Sequence, residues 1–266
     1  MKPNLNACRV TILIGTLFVI LAGILALRLR PPVSIEYDPA YWPEKKLVMD
    51  GWHWGITPSG IIYNLYIPKE LDVEGAEPSI PLIVCFHGNG GKASAKDRFG
   101  RIFTNPAIQA RFGGTGAAVL IPQARIEYYS DPHAYARFIK NVIMQHSAID
   151  AKRVAGYGFS QGAAFVQELA MYDPSLFKAA VSGSSYYTAS IPELFRAARV
   201  RFWCATSRND MGIYEQGHAT GRILAAICPD SRYVEYEKRG HFQVEPQDRS
   251  GRGDETFIDW LVGALE

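Results

Sequence analysis

Short uninterrupted apolar runs, each followed by a stretch of helical periodicity, recur along this chain from residue 81 to its end. The run 81–86 (PLIVCF) is apolar at both parities, so neither face of such a strand can be wet, and the sheet that holds it must be covered on both sides. Runs at 117–121, 154–157, 179–182, 201–205 and 233–237 repeat the pattern, with helical stretches at 95–111, 132–147, 161–171, 192–198, 216–227 and 254–265. Ahead of them, 45–49 and 61–67 read as two strands joined around Pro58-Ser59-Gly60, a turn composition that suits an antiparallel opening. Strand followed by helix, several times over, predicts an α/β fold: a mostly parallel, eight-stranded sheet with helices on both faces. The stretch 183–200 is too short for a large cap domain, which predicts an open site.

With 266 residues, 48% of them hydrophobic, the chain can bury one sizeable core. Its 28 basic and 26 acidic side chains nearly cancel, and no block of like charge stands out. This excludes the concentrated basic face that a nucleic-acid partner needs. Residues 10–27 carry no charge and are flanked by Lys2, Arg9, Arg28 and Arg30. At about 1.5 Å per residue that run reaches about 27 Å, near the hydrocarbon thickness of a bilayer. Its only cleavage-like end, Ile24-Leu25-Ala26, has a bulky first member. The expected organisation is a membrane anchor over 1–30, a linker over 31–43 and a domain over 44–266 that is exported. The alternative is a cleaved signal and a secreted domain. Cys85 and Cys204 lie in apolar runs and read as small buried hydrophobes. No Cys-x-x-Cys pair joins any of the four cysteines, and the pairing of Cys204 with Cys228 stays open.

The chemistry concentrates around Gly158-Phe159-Ser160-Gln161-Gly162, which follows the strand run VAGY and precedes an Ala-rich helical stretch. A serine lifted on a sharp strand-to-helix turn needs hydrogen in place of Cβ two positions before and two after it, because side chains there would collide with strand and helix. Ser160 is therefore the expected nucleophile. His87-Gly88-Asn89-Gly90-Gly91 follows PLIVCF directly and offers backbone N–H groups; those of Asn89 and Gln161 form the expected oxyanion hole. A phosphate loop needs Ser or Thr after Gly-Lys, where Ala93 stands, and no segment has the three-glycine dinucleotide spacing. His87 reads as a structural hydrogen-bonding residue of this loop.

For the acid, Asp210 in Ser207-Arg208-Asn209-Asp210 emerges just past the run RFWCA; Glu215 could substitute, and Asp173 reads as a helix cap. His241, in Arg239-Gly240-His241-Phe242, alone follows the last strand run and precedes the final helix, and is the expected general base. His53, His133, His146 and His218 have no comparable place. No metal-ligand spacing joins the histidines, so neither metal nor other cofactor is expected. Loops at the carboxyl ends of parallel strands line such sites, which nominates Tyr128, Tyr129, Tyr186, Tyr187, Met211 and Phe242 as substrate contacts.

The segments VCFHGNGG, GYGFSQGAA, SRND and RGHF together resemble the α/β-hydrolase superfamily. GFSQG beside a short HG-x-G loop is most similar to its carboxylesterase and phospholipase-type branch, with a compact plan like that of polyhydroxybutyrate depolymerases and feruloyl esterases. That resemblance implies Ser160, Asp210 and His241 as a catalytic triad in that chain order, acting on an ester substrate. Two other readings stand beside it: a serine peptidase, since the same triad cleaves amides, and a non-catalytic, membrane-tethered binding domain. Asn-Gly-Gly after His-Gly, and the apolar N-terminal run, depart from the pattern.

Overall fold

A computed structural model of the chain describes residues 46–49, 51–72, 75–89, 99–124 and 128–266. The strands are β1 (Lys46–Met49), β2 (Trp52–Ile56), β3 (Ile62–Tyr66), β4 (Ile80–Phe86), β5 (Ala118–Pro122), β6 (Ile149–Phe159), β7 (Ala179–Gly183), β8 (Arg201–Ser207) and β9 (Arg232–Tyr236). The helices are α1 (Pro106–Gln109), α2 (Pro132–Gln145), α3 (Gln161–Tyr172), α4 (Ile191–Arg196), α5 (Tyr214–Ile227) and α6 (Phe257–Leu265). They build one sheet in the order β1-β2-β3-β5-β4-β6-β7-β8-β9. β1, β2 and β3 run antiparallel to their neighbours, and every pairing from β5 through β9 is parallel. All eight expected strands are present, and β2 adds a ninth. Its inward positions are His53 and Gly55, so the alternation that marks a half-buried strand carries no apolar signal there. The Pro58-Ser59-Gly60 turn consequently joins β2 to β3.

β4 is buried at all seven positions because its two parities feed two cores. Leu82, Val84 and Phe86 pack toward α2 and α3, with Phe138, Phe165 and Leu169. Ile83 and Cys85 face the other way, toward Phe103, Phe257 and Leu261. The continuous run PLIVCF is thus a strand with helices on both sides. Cys85, Cys204 and Cys228 are free and buried.

The expected helix over 95–111 is corrected: from residue 99 onward the chain forms a 3₁₀ turn at Arg101–Thr104, the single turn α1, and another 3₁₀ turn at Ala110–Phe112. Pro106 disfavours helical backbone at Asn105, which instead is extended and caps α1 by accepting from the Ala107 N–H at 2.9 Å. Asp173 is more than a surface cap. It is fully buried beyond α3, takes the Ser175 hydroxyl at 2.6 Å and pairs with the Lys140 ammonium of α2 at 2.8 Å. The apolar run 10–27, the linker, Cys8, residues 90–98 and residues 125–127 lie outside the described residues. Among those described, no helix is long and apolar enough to cross a membrane.

Tyr157, directly before Gly158, joins the sheet to the chain beyond His241: its ring packs on Phe99, Phe103 and Phe257, and its hydroxyl donates to the Val244 carbonyl at 2.5 Å. Tyr157→Phe leaves that buried acceptor without its donor and is expected to cost about 1–3 kcal/mol. Urea unfolding of the two proteins, compared at equal m-value, measures it.

Candidate active site

Ser160 sits between β6 and α3 with φ 54° and ψ −117°, a left-handed backbone that costs a non-glycine residue on the order of 1–3 kcal/mol. Two backbone bonds hold it there: its N–H donates to the Gly183 carbonyl at 2.9 Å, and its carbonyl accepts from Ala164 N–H at 3.1 Å. The flanking glycines are required by contact. A Cβ on Gly158 would lie 2.3 Å from the Gly162 carbonyl oxygen, and one on Gly162 would lie 1.9 Å from the Phe86 carbonyl oxygen. The pentapeptide is therefore the only way to press the start of α3 against both its own strand and the end of β4.

The loop that leaves β4 lies against the serine. A Cβ on Gly88 would come within 3.0 Å of the Phe159 ring and 3.3 Å of the Ser160 Cβ. His87 is the structural residue expected. Its Nδ1 lies 2.7 Å from the Gly88 carbonyl and its Nε2 accepts from the Ala124 N–H at 3.3 Å, which assigns the neutral tautomer with the proton on Nδ1. Asn89 follows at the exposed edge, its amide donating to the Tyr128 hydroxyl at 3.4 Å.

Asp210 and His241 meet. The His241 Nδ1 lies 2.9 Å from one carboxylate oxygen of Asp210 and 3.2 Å from the other. Asp210 is buried, whereas the His241 side chain is 38% exposed, so the pair presents its imidazole outward. That ring packs on Phe159, centroid to centroid 4.8 Å, which sets it beside the residue adjoining Ser160. Asp210, rather than Glu215, is the carboxylate beside His241; Glu215 enters the first turn of α5.

Four residues outside the predicted set fasten the histidine loop. The Ser207 hydroxyl accepts from Arg239 N–H at 2.8 Å, and Asn209 Oδ1 accepts from Gly240 N–H at 2.8 Å and from that same hydroxyl. Ser184, itself at φ 50°, takes the Phe242 N–H at 3.2 Å. Arg239 lies over the rings of Tyr236 and Phe242 and pairs with Asp248 at 2.5 Å. The sequence signal for Ser207 and Asn209 was their place in SRND, and for Arg239 its place in RGHF; Ser184 carries none, because its partner comes from a distant segment.

The aromatic rim is smaller than expected. Tyr129 is core: it stacks on Phe165 at 5.0 Å, and its hydroxyl donates to the Pro122 carbonyl and accepts from His87 N–H. Phe242 is also buried, edge-on to Tyr236 under the Arg239 guanidinium, and Tyr187 packs partly buried on the core. Tyr128, Tyr186 and Met211 are exposed. Burial, with smaller contributions from Tyr128 and Glu168, pushes the Tyr186 phenol above its ordinary value.

No protein-family model matches the sequence, and no curated protein matches it either. Solved structures do. A thermostable esterase superimposes with a TM-score of 0.58 at 20% identity, over 81% of this chain, which spans 60% of that protein's length. An acetyl xylan esterase from Aspergillus awamori gives 0.54 at 15% identity, covering 78% of this chain and 95% of that one. Acetyl xylan esterase 1 from a Thermoanaerobacterium species gives 0.53 at 12%, covering 92% of each. At such identities the likeness establishes the architecture, which is the α/β-hydrolase fold.

Gly158→Ala and Gly162→Ala are expected to fail differently from an ordinary overpacking, which costs about 1–3 kcal/mol. Both should reach or exceed the top of that range, since the clashing atoms are backbone. Gly114→Ala, where a Cβ meets no atom within 4 Å and the backbone is not left-handed, is the control that isolates the steric effect in thermal unfolding.

Proposed function

We propose that this chain is a serine hydrolase of carboxylic esters, with Ser160 as nucleophile, His241 as general base and Asp210 as the acid that orients it. The observation that carries the reading is the Asp210–His241 pair, seated against Phe159 beside a serine in a strained left-handed turn. In this reading the imidazole takes the Ser160 proton as Oγ attacks the ester carbonyl. Asp210 fixes the proton on Nδ1 and stabilises the imidazolium. The oxyanion is received by the backbone N–H groups of Asn89 and Gln161, and the closeness of Gly88 to Ser160 supports that loop's part in it. Collapse releases the alcohol; water then attacks the acyl-enzyme by the reverse proton route. Esters are favoured over peptides because the structural neighbours are named as esterases. Tyr128 and Tyr186 would border the alcohol or acyl group.

The same proposal gives residues 10–27 the role of an anchor that holds the domain, exported, at a membrane. Release of the full chain from membranes by alkaline carbonate would oppose it.

A fluorophosphonate probe should label the wild-type protein and leave Ser160→Ala unlabelled; a folded wild type that resists labelling and hydrolyses neither p-nitrophenyl acetate, longer acyl esters nor acetylated xylan would defeat the proposal. On the best ester, Ser160→Ala or His241→Ala should lower kcat by roughly 10⁶ and Asp210→Asn by about 10⁴. Tyr128→Ala and Tyr186→Ala should act chiefly on KM.

A further inference from the structure

One polar cluster outside the site has a geometry the mechanism above does not use. Tyr233 and Glu235 share a face of β9, two residues apart, and Tyr214 and His218 share a face of α5, four apart. All four converge. Glu235 Oε2 accepts from the Tyr233 hydroxyl at 2.8 Å and the Tyr214 hydroxyl at 3.0 Å, and lies 2.9 Å from His218 Nδ1. Its other oxygen takes Arg208 Nε at 2.6 Å, with Glu237 3.4 Å from the same nitrogen. Thr206, the register partner of Glu235 on β8, closes the cluster by bonding the Tyr233 hydroxyl at 2.8 Å.

The members are placed around Asp210. Arg208 stands two residues before it, and Tyr214 four residues after it, with Tyr214 N–H donating to the Asp210 carbonyl at 3.0 Å. Glu235 thus grips both flanks of the loop that holds the acid. It does so from β9, the strand that runs on to His241 six residues later. We infer that Glu235 is a positioning residue, which fixes Asp210 against His241 by tying the acid loop to the strand that delivers the base. The inference rests on the triad reading above. Burial would push the Glu235 carboxyl up, but hydrogen bonds from Tyr233, Arg208, His218 and Tyr214 outweigh it and hold it down at about 2.

Glu235→Gln keeps the shape and removes the charge that three donors and a guanidinium share. On an ester substrate kcat should fall about tenfold or more, as expected of a misplaced catalytic group, with KM unchanged within about twofold. Because a well-placed Asp210 carboxylate steadies the imidazolium, loosening it should move the acidic limb of the kcat/KM profile to lower pH. Arg208→Gln and Tyr214→Phe, each severing one flank, should each give part of both effects, and they stand in for Glu235→Gln if that variant does not fold. A folded Glu235→Gln with unchanged kcat and acidic limb overturns the inference. So does a kcat that falls only in step with the melting temperature while the limb stays fixed. The downfield proton resonance of His241 Nδ1–H reads the Asp210 contact without any turnover; it should shift or broaden in Glu235→Gln. Wild-type protein that shows this resonance but neither labels nor hydrolyses would sink the hydrolase reading alone.

Discussion

The turn at Ser160 depends on backbone packed directly against backbone. The first turn of α3 approaches the end of β4 so closely that only hydrogen fits between Gly162 Cα and the Phe86 carbonyl, and the return contact to Gly158 is hardly looser. The neighbours of Ser160 on β4 and β7 are arranged around that contact. β4 ends there, so the loop of His87, Gly88 and Asn89 begins there. β7 lies alongside, so its last carbonyl, that of Gly183, is available to hold the strained residue by its N–H. The left-handed backbone at Ser160 is thus over-determined by its neighbours, which is the condition under which such strain persists.

Asp210 and His241 are brought together by a different logic. Neither Asp210 nor His241 belongs to a regular element; each lies in a loop beyond a strand end, where main-chain entropy opposes a fixed geometry. The structure answers with short bonds between the two loops. Ser207 and Asn209, on the Asp210 side, accept the N–H groups of Arg239 and Gly240, on the His241 side. Arg239 is itself fixed by two rings and Asp248. Ion pairs at a surface contribute little alone, but here each pair restrains a residue already tied at its backbone. The two loops therefore behave as one unit fixed at the edge of β8 and β9.

How much of this was legible follows from which residues carry local signals. β4, β5, β7, β8 and the second half of β6 announced themselves because a strand buried on both faces has to be largely apolar, whereas β9, buried only at Val234, was read from its Tyr-Val-Glu-Tyr run. β2 did not, because its buried positions are His53 and Gly55, and the histidine is there to meet Asp72 at 2.7 Å, a partner nineteen residues away. The glycines around Ser160 were legible since their requirement is local and steric. The pairing of Asp210 with His241 could be read from their order after successive strands. Tyr129 and Tyr187 could not be told from rim residues, because tyrosine suits both a core with a carbonyl to satisfy and a wet edge. Tyr129 was claimed by Pro122 and His87, contacts between separate loops that no sequence pattern encodes.

What remains exposed also follows from the topology. Among the described residues, the large apolar side chains left open are Tyr128, Met144, Tyr186, Ile191 and Met211. Met144 lies near the end of α2; the other four come from segments that follow β5, β7 and β8. In a sheet whose strands run parallel from β5 to β9, those segments emerge at the same edge as Ser160. The sheet's faces are sealed by helices and its core leaves these groups unused, so packing gives no reason for them to gather at one edge. The proposed hydrolase reading supplies that reason: with no large cap among the described residues, contact area for an apolar or ring-bearing group would have to come from the rim.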